Sequence, residues 1–326
     1  MLWREFLGNE GVKAQLRGLI DGDRLPHALL IEGPRGSGRR SLARLIAAAA
    51  VCQGEGERPC GVCPACHKSL AGIHPDIRTL GEDDGRSFKI EVVRDLRDEA
   101  YVKPNEAPRR VLILAGADAM TVPAQNAVLK ILEEPPAALL FILTCENRAE
   151  LLPTVRSRTL TLTLRGVEES VGLPYLKARL PGREEEDLRA ALTLYDGCLG
   201  RALEALAGEN LTRIAGLAEQ IALAAAAPTE WELLTAMAPL DQKDKTLTDD
   251  VLAALTLIFR DALAASQGAP VKSPAADRLA RALPPARLAA LVETVDGLRS
   301  ARRRNINQTL LLTLACARLR AAAGRE

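Results

Sequence analysis

Aromatic side chains make up only 3% of this sequence, and neither sign of charge dominates it. Lys and Arg number 43 against 42 Asp and Glu, a formal net charge of +1. A global basic field, which alone would argue for nucleic-acid binding, is therefore absent. Also missing is any run of about 18 uncharged apolar residues, so no membrane span and no membrane partner are expected. The N-terminal Met1-Leu2-Trp3-Arg4-Glu5-Phe6 lacks the apolar core of a signal peptide. A cytoplasmic location is the expectation, and in that compartment clustered cysteines argue for metal or catalysis more than for disulfides. What is present is a 48% hydrophobic composition rich in Ala, Leu and Arg, which supports a packed core and favours helix. At 326 residues the chain exceeds one typical domain.

The stretch Gly33-Pro34-Arg35-Gly36-Ser37-Gly38-Arg39-Arg40-Ser41 follows the apolar run Ala28 to Ile31 and leads into an apparent helix from Arg40 to Val51. Strand, glycine-rich loop and helix are the context of a phosphate-binding P-loop, in which backbone N–H groups of Gly33, Gly36 and Gly38 would cradle phosphates. A working loop places Lys and then Ser or Thr where this chain has Arg39 and Arg40. Arg39 keeps the charge, but a planar guanidinium does not replace an ammonium, and Arg40 cannot ligate Mg²⁺. Ser41 is one residue late, a rotation of about 100° on a helix. The changes favour an inert relic over nucleotide held without turnover, and either over hydrolysis.

A second motif runs Cys52, then Cys60-Gly-Val-Cys63-Pro-Ala-Cys66. Overlapping Cys-x-x-Cys steps with one cysteine upstream supply four thiolates to a structural, tetrahedral Zn²⁺. Pro59, Gly61 and Pro64 suit tight metal-binding turns. Four unrelated buried thiols are one alternative. A redox pair at Cys63 and Cys66 is another, and it leaves Cys52 and Cys60 unexplained. His67 could substitute as a ligand, though four cysteines already complete a site. Cys145, Cys198 and Cys316 are isolated and read as core residues.

Further along, Ile90, Val93 and Leu96 suggest a short helix, and Val111 to Leu114 reads as a buried parallel strand. In an ATPase such a strand ends in acidic residues that hold Mg²⁺ and polarise water. Here it ends in Ala115-Gly116, with Asp118 beyond in a loop or helix start. A second half of the ATP chemistry is thus missing independently of the first. Pro123 to Glu134 reads as a helix stopped by Pro135-Pro136, followed by strands at Leu139 to Thr144 and Leu160 to Leu164. Alternating strands and helices over the first 165 residues argue an α/β fold with a parallel sheet. Ala- and Leu-rich helices follow.

The degenerate Gly-Pro-Arg-Gly-Ser-Gly loop, the four-cysteine insertion, Gln125-Asn126-Ala127-x-Leu129-Lys130-x-Leu132-Glu133-Glu134-Pro135-Pro136 and Ser157-Arg158 follow one another here. In that order and spacing the chain resembles the bacterial clamp-loader subunits of DNA polymerase III. Its departures at Arg39, Arg40, Ala115 and Gly116 resemble the delta-prime branch, which has lost ATPase chemistry, rather than tau/gamma. An end at residue 326 also fits that branch better than a full-length tau.

The resemblance implies an AAA+ P-loop domain at 1–165 with helices on both faces of the sheet and a zinc module at 52–66. It further implies a small helical lid at 166–207 and an all-α collar at 208–326 that holds subunits in a ring. It assigns Ser157-Arg158 to a Ser-Arg-Cys motif, with Thr159 in place of Cys, whose arginine enters a neighbouring subunit's ATP site. Arg156 is a rival for that role. Arg201 resembles a nucleotide-sensing arginine of the lid or is a plain helix-start residue. The implied partners are tau/gamma and delta subunits in a hetero-pentamer, with the sliding clamp and primed DNA reached through the complex. The chain itself is then not an enzyme. A tau/gamma-like ATPase and a zinc-containing DNA-binding adaptor are the alternatives. Arg299, Arg302, Arg303 and Arg304 read as DNA or partner contacts, or more ordinarily as a solvated helix face.

Overall fold

Three of the apolar runs pair side by side at the centre of one parallel sheet. The computed structural model describes residues 2–81, 99–208, 210–241, 245–270, 273–302 and 307–325. Its strands are β1 (Ala28–Glu32), β2 (Ile77–Leu80), β3 (Arg110–Leu114), β4 (Leu139–Cys145) and β5 (Leu160–Thr163). They form one five-stranded sheet in the order β2-β3-β4-β1-β5, with every neighbouring pair parallel. All seven residues of β4 are buried, as a strand covered on both faces requires. The short helix expected around Ile90, Val93 and Leu96 lies outside the described residues.

Alternate strand residues divide between two cores, because successive strand side chains point to opposite faces. On one face Leu29, Ile31, Val111, Ile113, Leu140 and Ile142 pack with Leu16 and Ile20 of α1 (Glu10–Asp21) and with Leu42 to Val51 of α2 (Arg39–Val51). On the other face Leu30, Leu112, Leu114, Phe141 and Leu143 meet residues of α4 (Val122–Glu133) and Val155 of α5 (Pro153–Arg156). Between α2 and β2 lies α3 (Pro64–Leu70), which carries part of the cysteine motif. The expected α/β fold, a parallel sheet with helices on both faces, is therefore present.

Local chemistry sets the helix ends. Thr121 caps α4 by accepting the Ala124 N–H, and Pro135-Pro136 lie just past its end. No apolar run marks β2, whose Ile-Arg-Thr-Leu is only half buried at its two ends and exposed between.

The chain divides into two compact units, Met1–Leu192 with Asp196–Leu203, and Thr193–Tyr195 with Glu204–Glu326. The first also contains α6 (Glu169–Arg179), most of α7 (Glu185–Leu194) and the start of α8 (Leu199–Leu206). The second is helical: α9 (Asn210–Ala225), α10 (Glu230–Met237), α11 (Lys245–Ser266), α12 (Pro274–Ala282), α13 (Pro285–Arg302) and α14 (Gln308–Ala323). Its centre is α11, which buries Val251, Leu255, Phe259 and Ala262 and packs on α9, α12 and α13. No described helix is long and apolar enough to cross a membrane.

Candidate functional site

The P-loop connects β1 to α2 at the edge of the first core. Gly36 and Gly38 both adopt left-handed backbone, φ +80° and +93°, a region that favours glycine. At Gly36 a second constraint applies. A Cβ there would lie 2.5 Å from the Arg201 backbone nitrogen and 2.8 Å from Arg201 Cγ. The Gly200 N–H donates to the Gly36 carbonyl at 3.0 Å. The first turn of α8 is thus seated on the loop, and only glycine at both positions permits that approach.

Arg39, in the lysine position, opens α2 and is 3% exposed. Its Nη2 donates to Glu146 Oε1 at 3.3 Å. Glu146 immediately follows β4, so the charge that would face a phosphate has an anion from the same chain. Cys198 is buried in the same neighbourhood. Burial first, then Asp196, pushes its thiol up to about 11 against the opposing pull of Arg201 and Arg39.

The acidic side chains at the strand ends are engaged as well. Asp118 Oδ2 accepts the backbone N–H of Glu146 at 2.7 Å and of Asn147 at 3.4 Å. Glu32, last in β1, accepts the Arg148 N–H at 3.0 Å and the Thr163 hydroxyl at 3.4 Å. Asp118 sits in a short helical turn at Ala117–Ala119, in the loop where sequence placed it.

The cysteine motif closes into a cluster. The ligand atoms of Cys52, Cys60, Cys63 and Cys66 all lie within 4.8 Å of one another, and Cys60 Sγ is 3.9 Å from Cys66 Sγ. Zinc–sulfur bonds of about 2.3 Å set tetrahedral edges near ~3.8 Å, so the donors need only close slightly to hold a metal. Backbone N–H groups approach the sulfurs, from Cys60 to Cys52 Sγ and from Cys66 to Cys63 Sγ, each at 3.4 Å. Burial pushes the Cys63 thiol up. The N–H groups of Cys66 and Gln53 and the adjacent thiols outweigh burial and bring it down to about 6. Burial raises Cys66 instead. His67 is exposed and outside the cluster. Cys145, Cys198 and Cys316 are free and buried, as expected of core residues.

This module is fastened to the N-terminus. Trp3, 3% exposed, donates its Nε1–H to the Arg58 carbonyl at 2.7 Å, and the Arg17 guanidinium lies 5.9 Å from its ring centre.

Arg158 belongs to a different surface. It follows α5, and its Nη1 donates to the Thr154 carbonyl at 3.1 Å and to Ser157 Oγ at 3.5 Å. Its Nη2 lies 3.0 Å from Glu133 Oε1, at the end of α4. Gln125 ties the same two elements: its Nε2 donates to the carbonyls of Met120 and Glu150, and its Oε1 accepts the Leu152 N–H at 2.7 Å. The Glu133, Gln125 and Glu146 contacts span |i−j| of 25, 27 and 107 respectively for Glu133–Arg158, Gln125–Leu152 and Arg39–Glu146. Local sequence carries no signal for them. Of the C-terminal arginines, Arg299 reaches Asp296 at 3.9 Å. The side chain of Arg302 and residues 303–306, with Arg303 and Arg304, lie outside the described residues.

The family model for "DNA polymerase III, delta subunit" matches residues 8–168. Residues 8–168, just under half of the chain, are thus similar to this family. Subunits named delta′ of DNA polymerase III are similar: that of Haemophilus influenzae is 33% identical over 180 residues, 55% of this chain and 54% of that protein. The Escherichia coli delta′ is 31% identical over 213 residues, 65% and 64% respectively. The gamma/tau subunit of Mycobacterium tuberculosis H37Rv is 42% identical over 157 residues, 48% of this chain and 27% of that longer protein. The chain thus spans roughly half to two thirds of these delta′ relatives and about a quarter of gamma/tau. The matched portion contains the P-loop, the cysteine cluster and Arg158.

Proposed function

We propose that this chain is a clamp-loader subunit of the delta′ kind, which does not turn over ATP itself and lends Arg158 to a neighbouring subunit's ATP site. The observation that carries the first half is the use of both ATP-site halves within the chain. Arg39 pairs with Glu146 at 3.3 Å, Gly36 is covered by Gly200 and Arg201, and Asp118 caps the Glu146 backbone at 2.7 Å. In this reading Arg201 packs the loop instead of sensing nucleotide. Supporting the second half, Arg158 is partly exposed, with a side-chain accessibility of 37%. A guanidinium supplied in trans stabilises charge on a transferring phosphoryl group.

The four thiolates hold structural Zn²⁺ in this proposal, with no part in chemistry. Residues 166–207 form the lid and 208–326 the collar. The chain takes its place beside tau/gamma and delta subunits in a hetero-pentamer in the cytoplasm, reaching the sliding clamp and primed DNA through that assembly.

The 42% identity to gamma/tau favours a second reading, an ATP-hydrolysing subunit. Against it stand Arg39, Arg40 and Ala115-Gly116. One assay separates them. The purified chain should show no ATP turnover, and robust turnover abolished by Gly38→Asp would overturn the proposal. In an assembled complex whose other ATP sites are inactivated, Arg158→Ala should lower DNA-stimulated hydrolysis at the remaining, adjoining site by on the order of 10³-fold. Unchanged hydrolysis there refutes the trans-arginine role.

A further inference from the structure

We infer that Glu133 is a positioning residue for Arg158: it fixes the guanidinium in a presented orientation before a neighbouring subunit arrives. The inference rests on the trans-arginine reading above.

Three observations converge on this carboxylate. Glu133 is the last residue of α4, the end of a helix at which the backbone dipole disfavours an anion. An acidic side chain there calls for a compensating partner, and Arg158 Nη2 supplies it at 3.0 Å. The second anchor is the Thr154 carbonyl, which accepts from Nη1 at 3.1 Å, with Ser157 Oγ at 3.5 Å beside it. Two rigid elements, the end of α4 and the turn at α5, therefore hold one guanidinium from two directions. Gln125 keeps those elements in register through its bonds to the Met120 and Glu150 carbonyls and the Leu152 N–H.

A guanidinium has five N–H donors. Nη1 donates to Thr154 and Ser157, and Nη2 faces Glu133 as an ion pair, so the Nε–H and Nη2 hydrogens make no hydrogen bond among the described residues. Those donors are available to phosphate oxygens, which arginine grips in bidentate fashion. An unanchored arginine would lose much rotamer freedom on reaching a phosphate. One already held on its own chain loses less, and the saving appears in the transition state, where geometry matters most.

The test uses the assembled complex with only the adjoining ATP site competent. Glu133→Ala should lower kcat about two- to fivefold, the scale of one exposed ion pair, with KM for ATP unchanged. Glu133→Gln, which keeps an acceptor oxygen but not the charge, should fall between. Added salt should narrow the gap between wild type and Glu133→Ala. In an Arg158→Ala background Glu133→Ala should have no further effect. Full kcat in Glu133→Ala alongside an impaired Arg158→Ala overturns the positioning role alone. So does an increased kcat, which would make the pair a restraint, or an equal loss in both backgrounds, which would make Glu133 merely structural. Full activity in Arg158→Ala overturns the underlying reading instead.

Discussion

Removing one cysteine from the cluster has a consequence large enough to measure directly. Structural zinc held by four ligands binds with an apparent free energy of about 10–16 kcal/mol near neutral pH. Dividing that equally, loss of one thiolate removes about 2.5–4 kcal/mol, a rise of about 10²–10³-fold in the zinc dissociation constant. Cys63 is the position to change. Its sulfur accepts the Cys66 N–H at 3.4 Å and caps the helix that presents Cys66, so Cys63→Ser weakens both the metal site and its scaffold. Competition against a chromophoric chelator gives the affinity, and elemental analysis gives the stoichiometry, expected at one zinc per chain. Tryptophan fluorescence supplies an internal reporter. Trp3 is buried against the module through its bond to Arg58, whereas Trp231 is 75% exposed and insensitive to it. Chelation should therefore shift emission to the red through Trp3. Because the ligands bind as thiolates, affinity should fall with decreasing pH from the alkaline range, where burial keeps Cys52 and Cys66 protonated, and more steeply below about 6, where Cys63 also protonates. Full zinc occupancy with unchanged chelator competition in Cys63→Ser would refute the assignment.

Four further outcomes follow from the geometry. Gly36→Ala forces a side chain onto φ +80° and against the Arg201 nitrogen, so thermal unfolding should show a loss of about 2 kcal/mol or more. Restoring the motif letters with Arg39→Lys and Arg40→Ser should leave ATP turnover absent, since Gly36 stays covered and Asp118 stays bonded to the Glu146 and Asn147 N–H groups; turnover in that variant would show that the two letters alone silence the loop. Glu146→Ala strands part of the Arg39 charge, and because Glu146 is 44% exposed the loss by chemical denaturation should be about 1–2 kcal/mol, below that of a fully buried pair. Asp76 is buried, which pushes its carboxyl up, but N–H donors at Asn105, Glu106 and Ala107 outweigh burial and hold it below the ordinary carboxylate range. Its contribution is complete above the unfolded-state value and is lost as pH falls through the folded one, so Asp76→Asn should cost about 2–3 kcal/mol at pH 7 and flatten the acid limb of the stability curve.

How far the sequence reaches depends on how local the determining chemistry is. The central strands were legible because Ala28 to Ile31, Val111 to Leu114 and Leu139 to Thr144 are unbroken apolar runs, the mark of strands covered on both faces. The cysteine cluster was legible because Cys60, Cys63 and Cys66 are neighbours in sequence and their spacing is the geometry. The helix from Pro123 to Glu134 announced its own stop in two prolines. By contrast β2 mixes Arg78 and Thr79 with two half-buried apolar residues, as an edge strand does, and gives no alternation to read. The departure from the P-loop pattern was visible at Arg39 and Arg40, but the partner of Arg39 was not, since Glu146 is 107 residues away. The same holds for Gly200 over Gly36 and for Glu133 beside Arg158. Motif letters identify a position, and only folding supplies its partner.

The hydrogen bond from Gly200 to the Gly36 carbonyl has a consequence for timing. Here both partners are main-chain groups of one polypeptide, present from synthesis onward. The joint is therefore complete before any ligand arrives. In the proposed assembly, loop and helix would enter already joined.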